Sequence, residues 1–197
     1  MLKDRGSIPL ETPRLILRKF SVEDAEAMFM NWCQDEAVTR YLTWLPHENI
    51  EETQATIKFF IEQYSLPHTY HYLIVLKDTD TPIGSLGCVR FSERSESAEV
   101  GYCIARPYWK QGIATEALSA LLKHLFEAVG VQRVYARYCT ENPSSGKVME
   151  KVGMVYEGIQ RKAHKLHTGG FADLGVYSLL KEEYYKIYKG ENNGSNY

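Results

Sequence analysis

Between Ala98 and Thr140 the hydropathy pattern switches from that of a strand to that of a helix and back again. Ala98, Val100, Tyr102 and Ile104 alternate with Glu99, Gly101 and Cys103, as on a strand with one buried face. Across Ile113–Val129 the apolar residues Ala114, Leu118, Leu121, Leu122, Leu125 and Val129 then recur at helical spacing. Arg133–Thr140 returns to a strand pattern. Strand, long amphipathic helix and strand in succession form a crossover unit, which places its two strands in one mixed sheet. A chain carrying such a unit is neither a helical bundle nor a purely antiparallel sandwich.

The remaining segments fit around that unit. Arg14–Phe20 reads as a first strand, and Ser21 with Asp24 forms a capping-box start for a helix with Ala25, Met28, Phe29 and Trp32 on its apolar side. Asn49 and Glu52 open a second helix, with the stripe Ile50, Ile57, Phe60, Ile61 and Tyr64, which ends before Pro67. Tyr70–Lys77 and Pro82–Phe91 are strands joined at Asp78-Thr79-Asp80. Ser144–Val152 is a short helix, and Met154–Lys162 with Phe171–Leu180 makes a closing hairpin. The expectation is an α/β (α+β) fold with one mixed, mostly antiparallel sheet of about seven strands and about four helices. Residues 1–10 read as a loose lead-in, 11–189 as one domain and 190–197 as a disordered tail.

Composition narrows the function. A chain of 197 residues with 44% apolar and 24% charged residues can bury a full core without disulfide or metal staples. A net charge of −2 argues against wholesale nucleic-acid binding, which needs a basic face, but leaves room for a local basic groove around one phosphorylated ligand. Cys33, Cys88, Cys103 and Cys139 form no C-x-x-C pair and read as small buried hydrophobes in a reducing, cytoplasmic compartment. The charged start at Lys3-Asp4-Arg5 lacks the apolar core of a signal peptide, and no apolar run is long enough to cross a bilayer. His164 and His167 lack a third ligand nearby, so no metal is expected.

Chemistry concentrates in Ile104-Ala-Arg-Pro-Tyr-Trp-Lys-Gln-Gly-Ile-Ala-Thr-Glu-Ala117. A strand ends, a loop turns at Pro107, and a long helix opens near Gly112. Helix N-termini carry unpaired N–H groups and partial positive charge, so an anion is favoured there. Gly112 lets backbone approach a ligand, Ala114 keeps the first turn slim, and Lys110 adds a mobile charge. The run matches neither a Walker loop nor a dinucleotide fingerprint. Taken alone, the loop is either a pyrophosphate cradle or simply a helix that starts with glycine after a turn.

Its neighbours decide between these. Glu99-Val-Gly-Tyr-Cys-Ile104 followed by Tyr108-Trp-Lys-Gln-Gly-Ile-Ala-Thr-Glu-Ala117 resembles the acetyl-CoA motif of the GNAT N-acetyltransferases. Glu141-Asn-Pro-Ser-Ser145, Glu150-Lys-Val-Gly153 and Glu157-Gly158 fit the next block of that superfamily. Thr12-Pro-Arg-Leu-Ile-Leu-Arg18 and Asp173-Leu-Gly-Val-Tyr177 resemble the RimJ/RimL branch, the ribosomal-protein N-terminal acetyltransferases. The resemblance spans about residues 10–185 in the family's order. It implies a sheet that splays open at the strand ending in Ile104, with the pantetheine arm of acetyl-CoA in the V. Cofactor contacts would come from Cys103, Ile104, Lys110, Gln111, Gly112, Ile113, Ala114, Thr115 and Asn142. The family pattern Q/R-x-x-G-x-G/A lands on Trp109 to Ala114, with Trp109 departing from it.

The reaction implied is attack of an amine on a thioester, for which the protein aligns the pair, takes a proton and stabilises an oxyanion. Glu99 is the candidate base, beside the small residues Gly101 and Cys103; the competing reading is a strand Glu paired with Arg137. Many superfamily members protonate the leaving thiolate with a tyrosine on the helix after the asparagine, but that position here is Met149. Ser145 is the replacement suggested by the RimL branch, or else a helix-start serine bonded to backbone. Asn142 could equally be a turn residue before Pro143. Tyr41, Trp44, His47 and Tyr102 are placed at the acceptor pocket, with plain packing as the other reading of the first three. The acceptor expected is a protein N-terminus or a small-molecule amine, with no nucleic-acid or membrane partner and a homodimer left open. The rival of another class is a non-catalytic acyl-CoA-binding or regulatory module.

Overall fold

The computed structural model describes residues 2–167 and 169–190. The period change at Ile104 is realised as strand β5 (Ser97–Ile104), a 3-10 turn (Arg106–Tyr108), helix α4 (Ile113–Lys123) running on as a π turn to Val129, and strand β6 (Arg133–Cys139). Before it come β1 (Leu10–Glu11), β2 (Leu15–Arg18), helices α1 (Ala25–Met28), α2 (Glu36–Thr39) and α3 (Ile50–Gln63), then β3 (His71–Leu76) and β4 (Thr81–Ser92). After it come α5 (Pro143–Lys151), the hairpin β7 (Val155–Lys165) and β8 (Phe171–Leu180), and α6 (Lys181–Lys189). All strands join one eight-stranded sheet in the order β1-β2-β3-β4-β5-β6-β8-β7. Only β5 and β6 pair in parallel, as a crossover helix requires. The fold is the expected mixed α/β arrangement, with β1, α2 and α6 added to the elements legible in the sequence.

Helices cover both faces of the sheet. Leu118, Leu121 and Leu122 of α4, with Leu125 of the π turn that continues it, are fully buried against Leu15, Leu17, Tyr70, Tyr72 and Val134. Each such leucine contributes about 1.5–3 kcal/mol relative to exposure. On the other face Trp32 and Ile57 pack with Phe20, Leu73 and Val75. The first helix starts where Ser21 and Asp24 placed it: the Ser21 N–H donates to Asp24 Oδ2 at 2.7 Å. It is broken into a 3-10 turn, α1 and a π turn (Phe29–Cys33), and the wider last turn buries both Trp32 and Cys33. In α3 the apolar face is narrower than the expected stripe. Thr53 and Ile57 are buried, with Phe60 and Tyr64 packed beside them, while Ile61 turns outward at 36% exposure.

Residues 2–9 are tied down rather than loose. The Lys3 N–H donates to the Val129 carbonyl at 2.9 Å, and the Ser7 hydroxyl donates to the Thr69 carbonyl at 3.0 Å. Gly190 caps α6 in a left-handed conformation, and the rest of the expected tail lies outside the described residues. No described helix is long and apolar enough to cross a membrane.

Candidate active site

The parallel pairing of β5 with β6 is short. It runs through Ser97↔Arg133, Ala98↔Val134 and Glu99↔Tyr135, beyond which the strands diverge. A cleft of about 530 Å³ opens at this split. Tyr102, Cys103 and Ile104 line it from β5, and Gly112 to Thr115 line it from the start of α4. Asn142 and Ser145 contribute from the start of α5. That helix sits close to β6 because residue 146 is glycine: a Cβ there would lie 2.9 Å from the Tyr138 ring.

The mouth of the cleft at α4 is built for an anion. Gly112 precedes the helix with φ +77° and offers no side-chain cap, so the first-turn N–H groups have no partner from the helix or its cap. Lys110 is left-handed as well, with φ +61°, so the loop doubles back tightly. Trp109 ties it down by donating its indole N–H to the Ile104 carbonyl at 2.6 Å. The Gln111 side chain donates to the Pro107 carbonyl at 2.8 Å. Lys110 on the loop, with Lys147 and Lys151 one turn apart on α5, gives the cleft its positive lining.

A second layer of contacts holds this loop from the turn between β1 and β2. Glu116 Oε1 accepts from the Thr12 hydroxyl at 2.6 Å and from the Arg14 N–H at 2.9 Å. Its Oε2 accepts from Arg14 Nε at 2.7 Å, while Arg14 also donates to the Gln111 carbonyl at 3.0 Å. Burial alone would raise the Glu116 carboxyl, but these hydrogen bonds from Thr12 and Arg14 outweigh it and hold it below the usual range. The segment Thr12-Pro-Arg14 is therefore a clamp on the first turn of α4.

Deeper in the cleft two hydroxyls meet. The Tyr102 hydroxyl donates to the Ser145 carbonyl at 2.9 Å, and Ser145 Oγ donates to the Tyr102 oxygen at 3.3 Å. Burial pushes the Tyr102 phenol up to about 12, against the opposing hydrogen bond from Ser145. Met149 is buried at 2% exposure and is not among the cleft-lining residues, so the two hydroxyls that meet here come from β5 and the N-terminal turn of α5. Glu99 is also buried, at 5% exposure. It accepts from Arg137 Nε at 2.7 Å and from the Tyr135 hydroxyl at 3.2 Å.

Of the residues singled out in the sequence, Tyr41, Tyr102, Cys103, Ile104, Lys110, Gly112, Ile113, Ala114, Thr115, Asn142 and Ser145 all line the cleft. Four lie outside its lining. Glu99 sits in its ion pair, and the Gln111 side chain folds back on its own loop. Trp44 packs on the Trp32–Ile57 cluster, and His47 Nδ1 lies 2.7 Å from Thr53 Oγ1, with burial lowering the imidazole pKa. Sequence reasoning missed Arg14, Glu116, Arg40, Lys147 and Lys151. Only the last two carried a signal, their spacing of one helical turn on α5. Among the described residues no group of three or more His, Cys, Asp or Glu is placed to hold a metal ion.

Residues 14–155 match the family described as acetyltransferase (GNAT) domain. The uncharacterized N-acetyltransferase YoaA of Bacillus subtilis (strain 168) is 35% identical over 87% of this chain and 96% of its own. The ribosomal-protein-serine acetyltransferase of Escherichia coli (strain K12) is 23% identical over 74% of this chain and 84% of its own. The crystal structure of a GNAT-family acetyltransferase from Bacillus anthracis superposes with a TM-score of 0.78 at 26% identity, covering 89% of this chain and 99% of that one. With a split sheet, a capless helix start and matching relatives along most of its length, this chain belongs to the GNAT acetyltransferase family and is an acetyl-CoA-dependent N-acetyltransferase.

Proposed function

We propose that the chain moves the acetyl group of acetyl-CoA directly to an amine acceptor, a protein N-terminus or a small-molecule amine, in a ternary complex. One continuous cleft carries this reading: it leads from the unpaired N–H groups of α4 to the Tyr102–Ser145 pair, so both substrates can share it. The thioester is already an activated acyl donor. The protein's work is therefore alignment and proton handling.

Gly112 to Thr115, with Lys110, Lys147 and Lys151, would hold the phosphates. The unpaired stretch of β5 beyond Glu99 would hold the pantetheine arm by backbone hydrogen bonds, with Asn142 on the opposite wall. Ser145 Oγ would turn from Tyr102 to donate a hydrogen bond to the leaving sulfur, while the Tyr102 hydroxyl holds the Ser145 carbonyl. Glu99 would take the amine proton through water, since its side chain lies outside the cleft lining and is shared with Arg137 and Tyr135. The test is release of free thiol from acetyl-CoA against a panel of amines and peptides. Turnover that rises with amine concentration and gives intersecting initial-rate lines supports direct transfer. Parallel lines, the mark of an acetyl-enzyme, would remove it.

A further inference from the structure

Arg40, Tyr41 and Leu42, which follow α2, also wall the cleft. Leu42 also lines a second hollow of about 330 Å³, closed on its far side by Lys165 and His167 at the end of the β7–β8 hairpin. Tyr41 and Leu166 pack on the same buried cluster, so this loop and hairpin are joined. If the start of α4 holds the phosphates, the hollow beyond Leu42 is the space left for an acceptor.

That side carries cations without counter-charges. Arg40 and Lys165 contribute positive charge, and neither forms an ion pair among the described residues. The Arg40 guanidinium lies over the Tyr41 ring, 5.4 Å from its centroid. Among the described residues no aspartate or glutamate lines either hollow, in a chain whose net charge is −2.

From this charge pattern, and resting on the transfer reading above, we infer that the acceptor is an amine with a carboxylate or phosphate close to its amino group. Polyamines and aminoglycosides are disfavoured, because their further ammonium groups would meet Arg40 and Lys165. The same cations have a second effect. Positive charge beside a protonated amine favours its neutral form, the one that can attack a thioester. The acceptor would be both drawn in by its anion and deprotonated by its surroundings, which lightens the task left to the paired Glu99.

The experiment compares matched amines at saturating acetyl-CoA with thiol detection. The pairs are a hexapeptide of serine followed by aspartates against serine followed by lysines, and phosphoethanolamine against ethanolamine, with spermidine added. The anionic member of each pair should show a kcat/KM higher by about an order of magnitude at low salt, narrowing as salt screens the contact. Whichever anionic amine is turned over faster, peptide or small molecule, identifies the source of the anion. Lys165→Glu should shrink or invert the preference while acetyl-CoA affinity by calorimetry stays near wild type, and Arg40→Gln gives an independent check in the same direction. Equal or better use of spermidine, the lysine peptide or ethanolamine overturns the inference and leaves acetyl transfer standing. Binding of acetyl-CoA with no amine acetylated brings down both.

Discussion

At Tyr102 and Ser145 the chemistry of the leaving group sets how much a single hydroxyl can matter. A thiol with a pKa near 8.5 departs tolerably well unaided, so a hydrogen bond to sulfur should be worth about 10-fold in kcat rather than the upper end of general-acid effects. Ser145→Ala should show that loss with acetyl-CoA affinity close to wild type. An unaltered kcat, where chemistry is shown to be rate-limiting, would end the proposal. Tyr102→Phe removes the partner that donates to the Ser145 carbonyl, so it should cost at least as much. Glu99→Gln should lower the rate about 10²-fold at neutral pH, and the loss should shrink at high pH, where more amine is already free. Because Arg137 is only 30% exposed, the variant should also lose stability by leaving that guanidinium without its counter-charge. A wild-type pH profile with a lowered melting temperature would make Glu99 purely structural. Gly112→Val acts through backbone. At φ +77° a β-branched residue is strained, by roughly 1–2 kcal/mol, although Arg14 at 3.5 Å leaves room for a Cβ. The acetyl-CoA dissociation constant should rise about 10-fold if that strain falls wholly on the cradle. Unchanged affinity would take the loop out of the site.

The elements differ in how far the sequence announces them. The β5–turn–α4 run is legible because a change of period, a proline and a glycine all act within a few residues of chain. Helix α6 escapes an apolar-stripe reading because its inward face is aromatic: Tyr184 is buried and stacks on Tyr188 with ring centroids 4.9 Å apart. Helix α2 is a single turn, too short for periodicity to register. The site divides in the same way. Gly112 and its neighbours are local, whereas the Arg14–Glu116 clamp joins residues 102 positions apart and the Glu99–Arg137 pair joins residues 38 apart. Motif spacing cannot reveal the clamp, and it leaves the Glu99–Arg137 pair as one of two readings of Glu99; the folded sheet brings both together. The clamp has its own consequence. Arg14→Ala should loosen the first turn of α4 and raise the acetyl-CoA dissociation constant several-fold, with the Michaelis constant for the amine unmoved; Arg14→Lys should rescue only part, since the fork of hydrogen bonds is lost. Its pH dependence follows from Glu116, whose carboxyl is held below the usual glutamate range by the Thr12 and Arg14 hydrogen bonds despite its burial. The clamp's stabilisation is complete above the usual glutamate pKa and is lost as pH falls through the lowered folded one. The melting-temperature gap between wild type and Glu116→Gln should therefore narrow in acid. A gap that stayed constant down to about pH 3 would show that the carboxylate is not what holds the loop.

On the scale of the whole molecule, the split between β5 and β6 is a region where the sheet forgoes ladder hydrogen bonds in its middle. Both flanks are firmly built: β4 pairs with β5 along its length from Ser97 to Ile104, and β6 pairs with β8 from Arg133 to Cys139. The gap therefore persists as a slot between two rigid halves, whose strands pair through three residue pairs and are linked by the crossover through α4 and by the side chains of Glu99 and Tyr102. Such a slot leaves backbone groups that a ligand can satisfy, so binding should stabilise the fold out of proportion to the small area involved. At acetyl-CoA concentrations of 100 times the dissociation constant, linkage alone adds about 2.7 kcal/mol. For a domain of this size that corresponds to a rise in melting temperature of roughly 5–10 °C. The location of the effect is the sharper test. Amide exchange should slow at Tyr102 to Ile104, at Gly112 to Thr115 and around Asn142, and remain unchanged in the β1–β3 half of the sheet. Inorganic pyrophosphate should reproduce the protection at Gly112 to Thr115 alone, because it reaches the helix start but not the slot. If acetyl-CoA instead protects the outer face of β7, or leaves Tyr102 to Ile104 exchanging as before, the split is a gap in the sheet and not the binding groove.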